Sequence, residues 1–468
     1  MLKTYNNKKG GKINMAGGIF TNQNKIRPGA YIKFQGVPSS DNIVGSRGVV
    51  TFAAPLGWGP EGELITITVN DLLNGNLEKL IGVGYYSPQS KLVRAALQNA
   101  HTLLLYRGET GGTKAKVDVE LAETAGDAKL TATAKYAGTV GNNISINVRL
   151  VSGGYYVSTF LGSTQKDVQV VTKIEDLVSN DFVDFSGTGT IAKEAVNTLL
   201  TGGANGTFDN SGYVNYLALL KTTEFDTLAA YKFGEDSLFN GEDIKSFIQE
   251  MREIRGIKCQ AVINNFIAAN YEGVISTYGQ GVAFADGEQL SGEEFVVWVA
   301  GATAGADITE SNTYKVVPNA VSIVSDVLED DIESLITQGY LIISKRRDGA
   351  IVIEKDINTL VTLGDNVTAA FKENKVIRLL DAIANHIATD FEQNYIGKVT
   401  NDDTGRGLFK ASIISYLTNL QDSGAIINFN SAVDVTVTAG EQVDSFYSEV
   451  YIQPTYSVDK LYMIVNVR

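Results

Sequence analysis

The chain ends with the stretch Lys460-Leu461-Tyr462-Met463-Ile464-Val465-Asn466-Val467. Every second residue in it is apolar, which predicts a β-strand with one apolar face. An unpaired strand exposes a row of backbone N–H and C=O groups, so it requires a sheet to join. That sheet can belong to the same subunit or to a neighbour, and the pattern alone favours neither. This requirement for a partner is the main functional clue in the sequence.

Two helices are predicted upstream of this stretch. The first covers about 367–396, because apolar residues recur on one face at three- and four-residue spacing. These residues are Val376, Leu379, Leu380, Ile383, Ile387, Phe391 and Tyr395. The second helix covers about 405–422 and is closed by Ser423-Gly424. The pair predicts a helical layer next to the terminal strands.

Further strands are predicted between these helices and the chain end. Over 433–438, valines alternate with polar residues, and a second strand is predicted over 446–454. This pattern predicts one dry face and one wet face. We therefore predict a C-terminal helix-plus-sheet domain over 346–455, followed by an arm strand over 456–468.

The segment 28–110 has the composition of an α/β domain. Residues 48–54 and 101–106 are apolar runs of the buried-strand type. Between them, Ser87-Pro88 supplies an N-cap and a proline at the first helical position. Strand, helix and strand in this order predict a βαβ unit.

A β-rich insertion is predicted over 111–205, where Thr, Val, Gly and Ala alternate with few helical stretches. The α/β pattern resumes over 206–345, with a capping box at Ser291-Gly292-Glu293-Glu294 and a hairpin signal at Asp348-Gly349. The predicted fold class is therefore α/β and α+β multidomain: an α/β core with a mostly β inserted domain, a C-terminal helix-plus-sheet domain and extended terminal arms.

Residues 1–27 are polar and rich in Asn and Lys, which predicts an extended N-terminal arm. Ile19, Phe20 and Ile26 are its apolar anchors. No apolar segment follows the early lysines, so we expect no secretory signal peptide.

Bulk composition excludes several classes of protein. The 468 residues predict several domains, and a net charge of −14 disfavours a nucleic-acid partner, which requires clustered basic surface. The dense basic runs are Lys8-Lys9 with Lys12, and Lys345-Arg346-Arg347. One cysteine, Cys259, excludes an internal disulfide framework, and no apolar run approaches the roughly 20 residues that span a bilayer.

No pattern of catalytic or metal-binding residues is present in the sequence. His101 and His386 do not lie in a metal-binding spacing, and no Gly-x-Ser-x-Gly elbow occurs. The loop 202–207 lacks the lysine of a phosphate-binding loop and is interpreted as a linker. We therefore expect no cofactor, no metal and no enzyme activity.

Several short motifs resemble the contractile tail sheath proteins of bacteriophages and phage-tail-like bacteriocins, including those of defective prophage particles. They occur in the family's order along the chain from residue 27 to the end. The motifs are Arg27-Pro28-Gly29-Ala30-Tyr31, Ala137-Gly138-Thr139-Val140-Gly141-Asn142-Asn143-Ile144, Leu200-Thr201-Gly202-Gly203, Ala300-Gly301-Ala302-Thr303-Ala304-Gly305, Ser311-Asn312-Thr313-Tyr314, Asp356-Ile357-Asn358-Thr359-Leu360, Gly405-Arg406-Gly407-Leu408-Phe409-Lys410-Ala411, Tyr416-Leu417 with Leu420, Gly424-Ala425-Ile426, Ile452-Gln453-Pro454 and Lys460-Leu461-Tyr462-Met463.

The resemblance implies a homo-oligomer of six-subunit rings, stacked around an inner tail tube and linked by strand exchange. The implied donated arms are about 16–27 and 456–468, and the implied acceptor sheet uses 433–438 and 446–454. The implied exchange residues are Ile19, Phe20, Ile26, Val433, Val435, Val437, Val450, Ile452, Leu461, Tyr462, Met463, Ile464, Val465 and Val467. Helices 376–395 and 405–422 would face the tube, with Lys398, Arg406 and Lys410 as contacts.

Contraction of such a sheath would drive the tube through a target cell envelope. The implied partners are the tube, baseplate and tail terminator proteins, without nucleic acid or membrane insertion. The implied location is a virion or tail-like particle assembled in the bacterial host cytoplasm. Two alternatives stay open: an α/β enzyme with a β insertion, and a non-contractile surface or adhesin protein.

Overall fold

The structure is a computed structural model that describes residues 17–18, 30–31, 47–124, 126–232, 239–364 and 367–467. Residues 1–46 form a separate unit. In it, Gly17–Gly18 (β1) pairs in parallel with Ala30–Tyr31 (β2). The predicted anchors Ile19, Phe20 and Ile26 lie outside the described residues.

The first part of the α/β domain contains the predicted βαβ unit and additional elements. Its elements are Val49–Ala54 (β3), Leu64–Thr68 (β4), Val69–Leu73 (α1), Leu77–Ile81 (α2), Lys91–Leu97 (α3) and Thr102–Arg107 (β5). The predicted cap is confirmed, because the Ser87 hydroxyl accepts a hydrogen bond from the Gln89 N–H and Pro88 opens a 3-10 turn. β4 was missed, although Ile65 and Ile67 alternate with exposed or half-buried residues in the manner of a strand.

The inserted domain is a β-sandwich, which confirms the predicted β-rich insertion. Its strands are Lys116–Glu120 (β6), Lys129–Ala134 (β7), Ile144–Val151 (β8), Gly154–Leu161 (β9), Thr164–Val171 (β10), Val183–Thr188 (β11) and Ala195–Leu199 (β12). One sheet has the order β10-β9-β8-β12 and the other β11-β7-β6. Apolar side chains of both sheets form one core.

Trp58, from the α/β domain, fills part of the sandwich core. Its ring lies edge-on to Tyr136 at 5.3 Å and stacks on Phe182 at 6.1 Å between ring centroids. Nearby, Arg107 at the end of β5 donates to the Ala137 carbonyl oxygen at 2.9 Å. Buried Glu109 accepts from the Leu56 N–H at 2.6 Å. Burial raises the pKa of Glu109 and lowers that of Arg107, so each carries a desolvation cost where the two domains join.

The second part of the α/β domain adds the strands Thr227–Ala229 (β13), Gln260–Asn264 (β14), Val274–Thr277 (β15) and Tyr340–Leu341 (β19) to the same sheet. The completed seven-stranded sheet has the order β19-β15-β14-β13-β3-β5-β4, and only β4 runs antiparallel to its neighbour. The other elements of this second part are Asn210–Leu220 (α4), Gly241–Gln249 (α5), Gly281–Phe284 (β16), Gln289–Leu290 (β17), Gly292–Gly305 (α6), Ala320–Val324 (β18), Glu329–Gln338 (α7), Ile343–Lys345 (β20) and Ile351–Ile353 (β21).

Helix α6 is buried along nearly its whole length, from Phe295 to Ala304. The predicted capping box is confirmed, since Ser291 and Glu294 each cap the other's backbone N–H. Gly301 lets α3 approach, because a Cβ there would lie 2.3 Å from the Ala96 carbonyl oxygen. The small residues of this helix therefore set its distance from α3.

The predicted hairpin at Asp348-Gly349 is confirmed by pairing of β20 with β21. Gly349 has φ +88°, the left-handed conformation that this turn requires. Ile343, Ile351 and Ile353 are buried in the core of the α/β domain. The predicted domain boundary between residues 345 and 346 falls inside this hairpin.

The C-terminal part consists of Asn374–Asn394 (α8), Asp403–Asp422 (α9), Ile426–Ile427 (β22), Val435–Ala439 (β23), Phe446–Val450 (β24) and Gln453–Pro454 (β25). Helix α8 begins later than predicted, because Ala369–Lys372 forms a separate 3-10 turn. The single buried stripe predicted for it is also wrong. Nearly every residue from 374 to 383 is buried, since this half of α8 packs against the α/β domain.

Candidate assembly interface

An aromatic cluster joins the two C-terminal helices to the hairpin of β23 and β24. Phe391 and Tyr395 of α8 contact Phe409 of α9 edge to face, at 5.1 and 5.0 Å between ring centroids. Phe446 of β24 completes the cluster, 6.0 Å from Phe391. The hairpin is therefore held by side chains of both helices, which an isolated two-stranded hairpin requires for stability.

A second contact between the helices involves a histidine. The ring of His386 stacks on the ring of Tyr416, with 3.8 Å between their centroids. Burial lowers the pKa of His386, although the charge of Asp390 opposes this shift. The stacked imidazole is therefore neutral near pH 7, and it packs as an aromatic ring.

The hairpin of β23 and β24 is the predicted acceptor sheet, with some corrections. Val435 is buried and lies opposite Val450, and Val437 is half-buried. Val433 precedes the strand and is 63% exposed in the single chain, so the strand begins later than predicted, and the role of Val433 in strand exchange stays a prediction. Ile452 lies between β24 and β25, so the strand predicted over 446–454 is interrupted.

Both strands of this hairpin have a free edge within the described chain. β23 and β24 pair with each other and form no other ladder among the described residues. β22 and β25 form a second antiparallel pair, with Ile426 opposite Pro454. Among the described residues, the C-terminal sheet therefore consists of two short pairs with open edges, and an open strand edge can accept another strand.

The folded part of the chain ends at Thr455. Its backbone N–H donates to the Ala425 carbonyl oxygen at 3.0 Å, and its hydroxyl donates to the Gly424 carbonyl oxygen at 2.8 Å. Both acceptors directly follow α9. These bonds hold the start of the arm against the end of that helix.

Residues 456–467 form the C-terminal arm and have neither helix nor strand in the single chain. Within the described residues, no hydrogen bond connects the arm to the rest of the molecule. Its apolar side chains are exposed to between 60% and 94%: Tyr456, Val458, Leu461, Tyr462, Met463, Ile464, Val465 and Val467. The arm therefore lacks the pairing partner that its sequence requires.

The arm is apolar on both sides when it is extended. Leu461, Met463 and Val465 occupy one side of an extended chain, and Tyr462 and Ile464 occupy the other. A strand at the surface of a sheet normally alternates apolar with polar residues, whereas a strand covered on both faces does not. The central part of the arm therefore matches a strand that is buried on both sides.

Two buried ion pairs anchor α8 in the α/β domain. Arg378 donates to Asp356 at 2.9 Å, and both side chains are fully buried. Arg252 forms a bidentate pair with Asp381, with distances of 2.7 and 2.9 Å. Burial alone would lower the pKa of Arg252, but the charge and hydrogen bonds of Asp381 outweigh it and raise the pKa.

Sequence reasoning missed these ion pairs. Asp381 lies 129 positions from Arg252 in the sequence, and neither residue belongs to a recognisable motif. The available signal was the presence of Arg378 and Asp381 within a helix whose other residues there are apolar. Charges in such a position are rarely buried unless they are paired.

The predicted tube-contact residues differ in their surroundings. Lys398 is exposed, and its ammonium group donates to the Gln393 carbonyl oxygen. Arg406 pairs with Asp403 at 2.5 Å and Asn401 at 2.7 Å, and its side chain is only 19% exposed. Arg406 and Lys410 are both half-buried. Contact of these residues with a tube stays a prediction.

The described residues do not contain a group of His, Cys, Asp and Glu side chains arranged to hold a metal ion. Cys259 is buried, and burial raises the pKa of its thiol. In the parts of the chain that the structure covers, the helices are too short or too polar to cross a membrane.

Four family descriptions match consecutive segments of the chain. Residues 47–107 match the tail sheath protein Gp18 domain III N-terminal region, and 110–205 match the phage tail sheath protein beta-sandwich domain. Residues 206–359 match the phage tail sheath protein central domain, and 366–468 match the phage tail sheath C-terminal domain.

Individual proteins resemble the chain over nearly its full length. The phage-like element PBSX protein XkdK of Bacillus subtilis strain 168 is 31% identical, over 97% of this chain and 100% of that protein. The crystal structure of a sheath tail protein from Desulfitobacterium hafniense is 36% identical and has a TM-score of 0.77, with 93% and 99% of the two chains covered. The helical sheath of the anti-feeding prophage in the contracted state shares the fold, with 13% identity, a TM-score of 0.54 and coverage of 94% and 98%.

Proposed function

The chain belongs to the phage tail sheath protein family, and from this premise we propose that it polymerises as stacked six-subunit rings around an inner tail tube and contracts to drive that tube through a cell envelope. It is a sheath subunit and a component of a virion or tail-like particle. The number of subunits in each ring, the strand exchange between subunits and the contraction are the features that we propose. The observation that carries the proposal is the exposed apolar arm beside open strand edges.

The C-terminal arm is the proposed donated strand. Each large apolar side chain contributes about 1.5–3 kcal/mol when it is fully buried, and this chain exposes eight of them within residues 456–467. Fixing the backbone of one residue costs roughly 1–2 kcal/mol of conformational entropy. Ordering the arm without a partner would therefore give little net free energy. Pairing with a neighbour's sheet adds the missing hydrogen bonds and covers both faces.

The hairpin of β23 and β24 and the pair of β22 and β25 are the proposed acceptors. Val435, Val437, Val450 and Ile452 lie in or beside these strands. We extend the proposal to the N-terminal arm, about 16–27, with Ile19, Phe20 and Ile26 as its anchors. Backbone ladders depend little on side chains, so such links can persist while the domains rotate relative to one another.

Contraction in this proposal requires no nucleotide. Subunits would assemble in an extended lattice of higher free energy, and the compact lattice would bury more surface. Helices α8 and α9 would face the tube, with Lys398, Arg406 and Lys410 as candidate contacts. We propose no catalytic role for the chain. We propose that it assembles in the bacterial host cytoplasm, and that its partners are the tube, baseplate and tail terminator proteins.

Removal of residues 456–468 tests strand donation. We expect the truncated chain to remain a folded monomer, because the described part of the arm contributes no hydrogen bonds to its own domain, and to lose polymerisation. Electron microscopy and sedimentation measure assembly, and circular dichroism measures folding. Loss of the fold after truncation would show that the arm pairs within its own subunit.

A matched pair of point variants makes the test sharper. Val465→Asp places a charge within the arm, whereas Val196→Asp places one in the sandwich, at a residue that is 82% exposed. We expect only the first variant to prevent polymerisation, since only Val465 would be buried by a neighbour. Equal assembly of both variants would contradict a buried position for the arm.

Electron microscopy of the purified protein also separates the two alternative functions. Rings or ribbed tubes are expected only for a sheath. A bound cofactor or turnover in a substrate screen would favour the α/β enzyme, and unassembled protein that adheres to cells would favour the surface protein.

A further inference from the structure

A groove lies on the α/β domain between α7 and the ends of β15 and β19. It has a volume of about 550 Å³. Its lining comprises Tyr278, Asp326, Val327, Leu328, Asp331, Ser334, Leu335, Gln338 and Tyr340. None of these residues belongs to the C-terminal domain or its arm, so this groove is separate from the strand-exchange interface.

Two tyrosines, a buried leucine and two carboxylates line the groove together. Tyr278 and Tyr340 pack edge to face at 4.9 Å, and Leu335 is buried beside them. Asp326 and Asp331 line the groove, and both are exposed. Carboxylates beside aromatic rings suit a lysine or arginine, whose stem packs on apolar surface while its charge pairs with the carboxylates.

The charge around the groove strengthens this preference for a cation. Glu329, Asp330 and Glu333 are exposed on the same helix, α7, as Asp331. The groove therefore lies within a locally negative surface, which attracts basic groups and repels acidic ones.

The same chain carries a basic hairpin tip, the segment Lys345-Arg346-Arg347, which comprises the last residue of β20 and the first two residues of the turn to β21. All three side chains are exposed. Arg346 pairs with Asp348, whereas Lys345 and Arg347 form no ion pair among the described residues. This tip is one of two dense basic runs in a chain of net charge −14.

The tip belongs to a hairpin that is anchored in the core of the α/β domain. Its strands are fixed on both sides by buried residues, Ile343, Ile351 and Ile353, in the core. No ion pair joins the tip to Asp326 or Asp331 within the described chain. Within the described chain the two patches are therefore not paired with each other, and another molecule can supply the partner of each.

We propose that the basic tip of one copy docks into the acidic groove of an adjacent copy. The two patches have opposite charge and lie at different places on the chain, so the contact is head to tail and repeats from subunit to subunit. This inference rests on the proposed sheath function. It adds a side-chain contact between α/β domains, which acts beside strand exchange and weakens with salt.

Charge exchange between the two patches tests the contact. Asp331→Lys in the groove, and Lys345→Glu with Arg347→Glu at the tip, each place like charges opposite one another. We expect each change to raise the concentration needed for polymerisation by about tenfold or more, equivalent to the loss of a contact of moderate strength. Combination of both changes restores opposite charges, so it should return assembly to within about threefold of the original chain.

Control variants use exposed charges away from both patches. Asp127→Lys and Lys193→Glu lie in the sandwich, where both residues are exposed, and they should leave assembly unchanged. Circular dichroism checks that each variant folds. Where a reversal prevents folding, Asp331→Asn and Arg347→Gln replace it, and each should raise the required concentration and reduce its dependence on salt.

The outcomes separate this inference from the proposed function. If the original chain forms ribbed tubes but the combined variant is no better than the single reversals, the docking of tip into groove is wrong and the sheath function stands. If only Asp331→Lys impairs assembly, the groove binds another protein, such as a basic tube segment, and the inference also falls. If the original chain never polymerises, the proposed function itself fails.

Discussion

Single buried charges have the largest expected effects on stability. Arg252 and Asp381 are nearly buried, and they join the α/β domain to α8. Removing one member of a buried pair leaves the other charge in a poorly solvated place, which costs far more than breaking an exposed pair.

We predict that Asp381→Ala lowers the free energy of unfolding by about 3–5 kcal/mol. Glu272 lies 4.0 Å from Arg252 and is too distant to replace the bidentate pair. Denaturant unfolding measures the change. Asp181→Ala, which breaks the exposed pair with Lys79, is the matched control and should change stability little. Equal effects in the two variants would show that Arg252 is solvated after all.

A pH dependence is predicted for the helix pair because of His386. Its pKa is lowered in the folded state by burial, from an ordinary value of 6.5. The unfolded chain therefore binds the proton more readily, so stability present above pH 6.5 is lost as pH falls through the folded-state pKa. We expect His386→Phe to reduce this acid sensitivity, measured as unfolding midpoints between pH 7 and 5. An unchanged pH profile would contradict the prediction.

At the scale of the element, α9 contains two glycines in different surroundings. A Cβ at Gly405 would lie 2.1 Å from the Thr400 carbonyl oxygen, because the preceding loop crosses the helix there. A Cβ at Gly407 would have no neighbouring atom within 4 Å. The same substitution should therefore have opposite signs at these positions.

We predict that Gly407→Ala stabilises the protein by about 0.5–1 kcal/mol, since alanine is the better helix former. Gly405→Ala should destabilise it by roughly 1–3 kcal/mol, because the loop must move. Thermal unfolding of both variants makes the comparison. Stabilisation by both would mean that the loop can shift without cost.

The sequence predicted most reliably those elements whose caps or turns depend only on neighbouring residues. The caps at Ser87 and Ser291 and the turn at Asp348-Gly349 are set by neighbouring residues, and all three are confirmed. Helix α8 was predicted less well, because its first half is buried by distant parts of the chain. Periodicity records one apolar face and cannot show a helix that is enclosed on all sides.

At the scale of the whole molecule, the sandwich is joined to the α/β domain through Trp58. This residue precedes the insertion in sequence, yet its ring lies in the insertion's core. A wholly independent domain would not need a side chain from outside, so we expect the two domains to unfold together.

We predict that Trp58→Ala lowers the free energy of unfolding by about 3–5 kcal/mol and separates the unfolding of the two domains into two steps. Calorimetry measures both effects. The control is Tyr86→Ala, which removes an aromatic ring that is 92% exposed. A single transition at an unchanged temperature would show that Trp58 does not couple the domains.

The candidate interface was partly accessible from the sequence. The placement of Leu461, Met463, Val465 and Val467 on one face of an extended chain identified the arm, because a strand pattern is local. The acidic groove was not accessible, since Tyr278, Asp331 and Tyr340 meet only when β15, α7 and β19 pack together. Ion pairs and grooves depend on distant contacts, which a single sequence does not record.

The attachment of the arm at Thr455 has a mechanical consequence. In the proposed sheath, a neighbour that pulls on the arm would apply tension first to the bonds between Thr455 and the end of α9. The aromatic cluster passes this load from α9 to α8, and the ion pairs of Arg252 and Arg378 pass it to the α/β domain. During the proposed contraction, a force on the C-terminal arm would therefore be transmitted to the α/β domain through packed and hydrogen-bonded parts of the subunit.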